Sequence, residues 1–149
     1  MRWYLAMMVV FIMCLMQVDS MAQPSENAKR NPQVADSSAE KLVVLWTSGD
    51  AEVAKKMVFM YVYNAKKYEW WDEITFIIWG PSSKLLAEDE ELQKEIGKMK
   101  QEGIVLEACK ACADQYGVSE KLKSLGVDVK YMGKPLTEYI KGKEYVVTF

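Results

Sequence analysis

The chain is 149 residues long, half of them apolar, with 19 lysines and arginines against 21 aspartates and glutamates. That is enough apolar material for one core of ordinary domain size, and the net charge of −2 excludes the basic excess expected of a nucleic-acid or anionic-membrane binder. There are three cysteines and no histidine, so any role that rests on imidazole, as base, metal ligand or proton shuttle, is excluded too.

In chain order, the first predicted element is an export signal. Met1-Arg2-Trp3 leads into an apolar run over residues 4–16, and Ser20 and Ala22 stand at −3 and −1 ahead of Gln23. A positive start, an apolar core of about 7–15 residues and small residues before the cut make residues 1–22 a secretory signal peptide. The run falls short of the roughly 20 apolar residues of a membrane span; a retained N-terminal anchor is the alternative. The mature chain, 23–149, is then expected outside the cytosol, in the periplasm and free of the membrane. Cys14 lies inside the apolar run and leaves with it, so two thiols remain in a compartment that tends to oxidise them. Residues 23–40, "QPSENAKRNPQVADSSAE", are polar, carry two prolines and show no apolar period. They read as a flexible leader whose removal should not alter stability.

From residue 41 strands and helices alternate. "LVVLW" (42–46) is a continuous apolar strand followed by the loop Thr47-Ser48-Gly49-Asp50. Residues 51–67 read as a helix with Val53, Met57, Met60, Tyr61 and Asn64 on one face. "ITFIIW" (74–79) is a second buried strand, ended by Gly80-Pro81-Ser82-Ser83. Residues 84–101 form two helical pieces, with Gly103 as the stop. "IVLEA" (104–108) is the third strand; a short helix from 109 to 116 follows and Gly117 ends it. Another helix spans 119–125 up to Gly126. "VDVKYM" (127–132) and "EYVVTF" (144–149) complete the strands, with 136–141 helical between them. Apolar strands without alternation, separated by helices, are covered on both faces, as in a parallel sheet. The expected fold is α/β, a three-layer α/β/α sandwich with a mostly parallel sheet of about five strands. Ligands in such sheets sit at the carboxyl ends of the strands, so the loops at 47–50, 80–83 and 109–110 should converge on one site.

Cys109-Lys110-Ala111-Cys112 supplies that site's chemistry. A structural zinc centre needs four ligands; two cysteines without histidine could supply one only across subunits, and no metal is expected. A thioredoxin-type pair is a second candidate, because CxxC at a helix start lowers the first thiol's pKa. Two structural cysteines, buried or joined as a disulfide, are a third. Under the functional reading, Cys109 opens a helix whose free N–H groups and dipole favour a thiolate. Cys112, three residues on and on the same helical face, serves as the resolving thiol.

The run 109–118, with its cysteine at a strand end and a short helix closing in Gly117-Val118, resembles the motif of the DsrE/DsrF-like family. "IIWGPSSKLL" (77–86) is similar to that family's second strand ending, and "LVVLWTSGD" to its first strand and loop, so the resemblance covers residues 41–149. It implies a small α/β/α sandwich assembled as a trimer or hexamer. For Cys109 it implies the persulfide-carrying position of the family's sulfur-relay members, which generally lack a counterpart of Cys112 and carry no export signal.

Trp46 and Trp79 each end a strand and are candidates for pocket walls, or for ordinary packing; Thr47, Ser48, Gly49, Gly80, Pro81 and Lys110 complete the candidate pocket. "MVFMYVY" (57–63) is apolar right round the helix, more than one buried face requires. A subunit contact there, with Phe59 and Val62 as the positions at which to place charges, would cover it. Trp70-Trp71 falls in a turn, where exposed indoles suggest a contact surface. Glu91, Lys94, Glu95 and Lys98 fit a solvated helix face. Three functions stay open: an exported sulfur carrier using Cys109 with Cys112, a dithiol/disulfide redox protein, and a non-catalytic oligomeric binding module. None calls for a cofactor, and the donor or acceptor protein is unknown.

Overall fold

The computed structural model describes residues 39–149. The signal peptide, Cys14 and all but the last two residues of the leader lie outside the described residues. At its end the leader is tied to the domain: the Glu40 N–H donates to Asp72 Oδ2 (2.7 Å) and its carbonyl accepts from the Asp72 N–H (3.0 Å).

Five strands, β1 (Lys41–Trp46), β2 (Glu73–Ile78), β3 (Val105–Cys109), β4 (Asp128–Lys130) and β5 (Tyr145–Thr148), form one sheet in the order β4-β3-β2-β1-β5. Every neighbouring pair is parallel. Between β1 and β2 runs α1, built of Ala51–Val53, a π-helical turn over Ala54–Val58, and Phe59–Lys67. The other helices are α2 (Pro81–Glu88), α3 (Glu90–Gln101), α4 (Lys110–Gln115), α5 (Ser119–Ser124) and α6 (Gly133–Lys141). The steps from β1 to β4 all move one way across the sheet, and right-handed crossovers then place α1 to α5 on a single face. The return from β4 to β5 puts α6 on the other. This is the three-layer α/β/α arrangement expected from the sequence.

The two faces are unequal. Leu42, Val44 and Trp46 of β1, Ile74, Phe76 and Ile78 of β2, and Leu106 and Ala108 of β3 point into a large core closed by α1 to α5. The alternate residues Val43, Ile77 and Cys109 form, with Met132, a small core under α6. A buried side chain of this size contributes roughly 1.5–3 kcal/mol, so most of the fold's apolar stabilisation lies on the first face. No residue of α6 is fully buried.

Several local expectations change. On α1 the sheet-facing residues are Ala54, Val58, Phe59, Val62 and Ala65, whereas Met57 and Met60 are exposed and Tyr61 and Asn64 are half-buried. The stripe Val53, Met57, Met60, Tyr61 and Asn64 therefore flanks the core-facing one, and Phe59 and Val62 are core residues, not surface positions. Large side chains dominate the sequence pattern, but Ala54 and Ala65 let the helix lie close to the sheet, and the extra residue of the π-helical turn rotates the remainder. Pro81, Ser82 and Ser83 are the first turn of α2 and not a loop, with Pro81 at the position whose missing N–H costs nothing. β4 stops at Lys130, and α6 begins at Gly133, earlier than residue 136. Trp70 is exposed in its turn, whereas Trp71 packs on Tyr145 with ring centres 5.0 Å apart. Among the described residues no helix is long and apolar enough to cross a membrane.

Candidate thiol site

Cys109 is the last residue of β3 and also the residue that caps α4, in extended conformation. Strand alternation sends its side chain to the second face, opposite to that of Ala108. There it is 4 % exposed among Val43, Ile77 and Met132, with Trp79, Leu136 and Tyr139 packed around the cluster. Cys112 follows one turn on, half-buried against the same cluster. Both thiols are free. Burial pushes the Cys112 thiol up, and a hydrogen bond with Cys109 adds to the shift; a hydrogen bond from the Gly80 backbone works the other way. Because α4 is only six residues long, individual N–H groups matter here more than a summed helix dipole.

The loops expected to converge do so. The Trp79 N–H donates to the Trp46 carbonyl (3.0 Å), and the Ser82 hydroxyl donates to the same oxygen (2.7 Å), which locks the end of β2 to the end of β1. Gly49 lies so close to Pro81 that a side-chain carbon there would meet the proline ring at 3.0 Å. Gly80, at φ +72°, holds a left-handed turn that disfavours any other residue, and that turn brings its N–H to Cys112. Thr47 is occupied differently: its N–H and its hydroxyl both reach the Phe149 carbonyl at 2.7 Å. Ser48 accepts from the Asp50 N–H (3.1 Å). Lys110 pairs with Asp114 and lies over the Tyr131 ring at 5.6 Å; Asp114 holds its ammonium above the usual range.

Trp46 is the site residue that moves furthest from expectation. Its ring stands on the first face between Phe59 (5.1 Å, edge-on) and Phe76 (5.8 Å, stacked), so it is core and not a wall beside Cys109. Trp79 takes the wall position alone.

Three residues at the site are new. Glu107, two positions before Cys109 on the same face, is 4 % exposed. Lys130 donates to its Oε1 at 2.6 Å, and the Tyr139 hydroxyl reaches both carboxylate oxygens at 3.2 and 3.1 Å. Burial and then the Glu107 charge push the Tyr139 hydroxyl up, while Asp128 and Glu107 hold the Lys130 ammonium well above its usual value. A glutamate inside the apolar run "IVLEA" was the available signal, since a carboxylate is tolerated there only with partners. Among the described residues no group of three His, Cys, Asp or Glu side chains is placed to hold a metal ion.

No family model matches the sequence, and no curated protein matches it. Among solved structures, a conserved protein of unknown function from Bacteroides thetaiotaomicron, BT1422, is 43 % identical with a TM-score of 0.72, over 74 % of this chain and 95 % of that one. The chain belongs to that protein's family. The ychN protein from E. coli shares the fold at a TM-score of 0.56 and 15 % identity, over 75 % of this chain and all of that one.

Proposed function

We propose that the protein is an exported DsrE/DsrF-like thiol protein that carries sulfane sulfur on Cys109, with Cys112 as the resolving thiol. The observation that carries this reading is the pair of free, hydrogen-bonded thiols at the end of β3, one sealed in an apolar cluster and one at its edge. An apolar enclosure suits a persulfide, which water and stray thiols would otherwise consume. The DsrE-like fold shared with ychN supports the reading at the level of architecture, and the signal-like run at residues 4–16 is the basis for placing the chemistry in the periplasm.

The step is a thiol exchange. Cys109–SH and a persulfide donor R–S–SH give Cys109–S–SH and R–SH. Attack by the Cys112 sulfur on the Cys109 sulfur then forms a Cys109–Cys112 disulfide and releases hydrogen sulfide; an external dithiol resets the pair. The contact between the thiols also supports a second reading, in which the pair cycles between dithiol and disulfide without sulfur cargo. Intact-mass measurement of Cys112→Ser, in which a persulfide on Cys109 cannot be resolved, separates the two after exposure to a persulfide donor. One added sulfur atom, absent when Cys109 is also replaced by serine, is the expected outcome; no sulfur gained there, with a loss of two hydrogens in the unaltered protein, transfers the assignment to the redox reading.

A further inference from the structure

Cys109 is almost completely covered, yet any thiol exchange needs an open line to its sulfur. Beside Met132 and Trp79, part of its cover on the second face comes from Leu136 and Tyr139 of α6, and α6 is weakly held. Beyond Met132, the buried residue that caps it, its apolar hold on the sheet is through half-buried Leu136 and Tyr139, in contrast to the continuous buried rows of α1 and α3. An element with few buried apolar contacts is the first to open locally. The strongest polar tie between α6 and the sheet is the Tyr139 hydroxyl on Glu107, whose charge is in turn compensated by Lys130.

We propose that α6 is a lid over the thiol pair and that Glu107, Tyr139 and Lys130 form its latch, so that opening of the latch sets how fast Cys109 meets its reaction partner. The placement of Glu107 fits this role. It stands two residues before Cys109 on one strand and one face, so the latch and the thiol share the same rigid β3 and the movement falls to α6. Lys130, at the end of β4, stays with the sheet and keeps the carboxylate compensated when Tyr139 departs. Opening then leaves no uncompensated charge behind; it exchanges one hydrogen bond for water. Tyr139 and Glu107 are positioning residues here, not catalytic ones. The inference builds on the thiol site but does not require that the cargo be sulfur.

Alkylation of Cys109 in a Cys112→Ser background tests it. Tyr139→Phe keeps the ring against the cluster that holds Cys109 and removes only the hydroxyl. Cys109 should then be alkylated about tenfold faster at neutral pH, the scale of one hydrogen bond to a charged group, while stability in urea falls by no more than that same factor, about 1.4 kcal/mol. Amide exchange in the unaltered protein gives an independent reading, with α6 amides expected to exchange well ahead of those in β1 to β3. An unchanged alkylation rate in Tyr139→Phe, or α6 amides that exchange only with the whole domain, overturns the lid. Faster alkylation without sulfur loading keeps the lid and removes the sulfur-carrier reading. Sulfur loading at the same rate with and without the Tyr139 hydroxyl does the reverse.

Discussion

Cys112 and Cys109 share a motif but not an environment, and the difference has a measurable consequence. Burial raises Cys112, its contact with Cys109 raises it further, and the Gly80 N–H offsets only part of the effect. With its pKa above that of an ordinary thiol, about 8.5, Cys112 is mostly protonated at pH 7 and gains thiolate only as the pH rises through its elevated value. In Cys109→Ser the contact is gone but burial, the larger cause, remains, so alkylation of Cys112 should be slow at pH 7 and keep rising with pH; a plateau by pH 8 would contradict the buried environment described. At this scale the sequence was partly legible. The CxxC pair, Trp79 and the Gly80 turn were readable, because each sits at a strand end where topology alone brings it to the site. Trp46 was not, because which face a strand's last residue takes depends on register. The Glu107 latch was missed because its partners come from β4 and α6, 23 and 32 residues away.

Among the elements, α3 shows how far local signals reach. Asp89 caps it by accepting from the Glu91 and Leu92 N–H groups at 2.9 and 3.1 Å, and Lys55 of α1 pairs with the same carboxylate at 2.9 Å. The Lys55 hydrogen bond is the first cause that holds the Asp89 carboxyl below its usual range, and the cap bonds add to it. Its folded pKa is depressed, so its contribution is complete above the unfolded value, near 4, and is lost as pH falls through the lower folded one. Asp89→Ala should cost about 1–2 kcal/mol in urea denaturation at pH 7, and the gap from the unaltered protein should close below pH 4. Caps of this kind are visible in sequence because donor and acceptor are near neighbours. The face of α1 was not, since a π-helical turn shifts the register and two alanines do the close packing that methionines seemed to announce.

For the whole molecule, the alternation of strands and helices was enough to give the layers and the parallel sheet. It was not enough to show that one helix covers the second face while five cover the first. The outward side of α1 keeps the assembly proposal open at corrected positions. Met57 and Met60 are 52 % and 57 % exposed, and Met60 with Phe59, Tyr63 and Leu92 lines a groove of about 270 Å³ between α1 and α3. Covering each methionine in a subunit contact would contribute up to roughly 1.5–3 kcal/mol, and a closed ring leaves no such patch free. We expect light scattering to show an oligomer that Met57→Lys with Met60→Glu dissociates without unfolding it. A monomeric unaltered protein ends the proposal. An oligomer that survives both charges moves the interface off α1. Phe59 and Val62 are unsuitable for this test, because charges there would enter the core.

The order β4-β3-β2-β1-β5 also has a meaning in time. Residues 41–130 supply the whole large core apart from Val147 and Phe149, which pack on it partly buried, yet the first strand still waits for its outer neighbour. The bonds from Thr47 to the Phe149 carbonyl span 102 residues, the longest side-chain closure among the described residues. Until the segment from Gly133 onward is docked, Glu107 lacks Tyr139 and α6 does not cover the second face, so Cys109 and Cys112 stand open to any oxidant the folding chain meets. Folding thus runs from exposed thiols to sealed ones, and the docking of residues 133–149 decides the chemical state in which the pair is closed in.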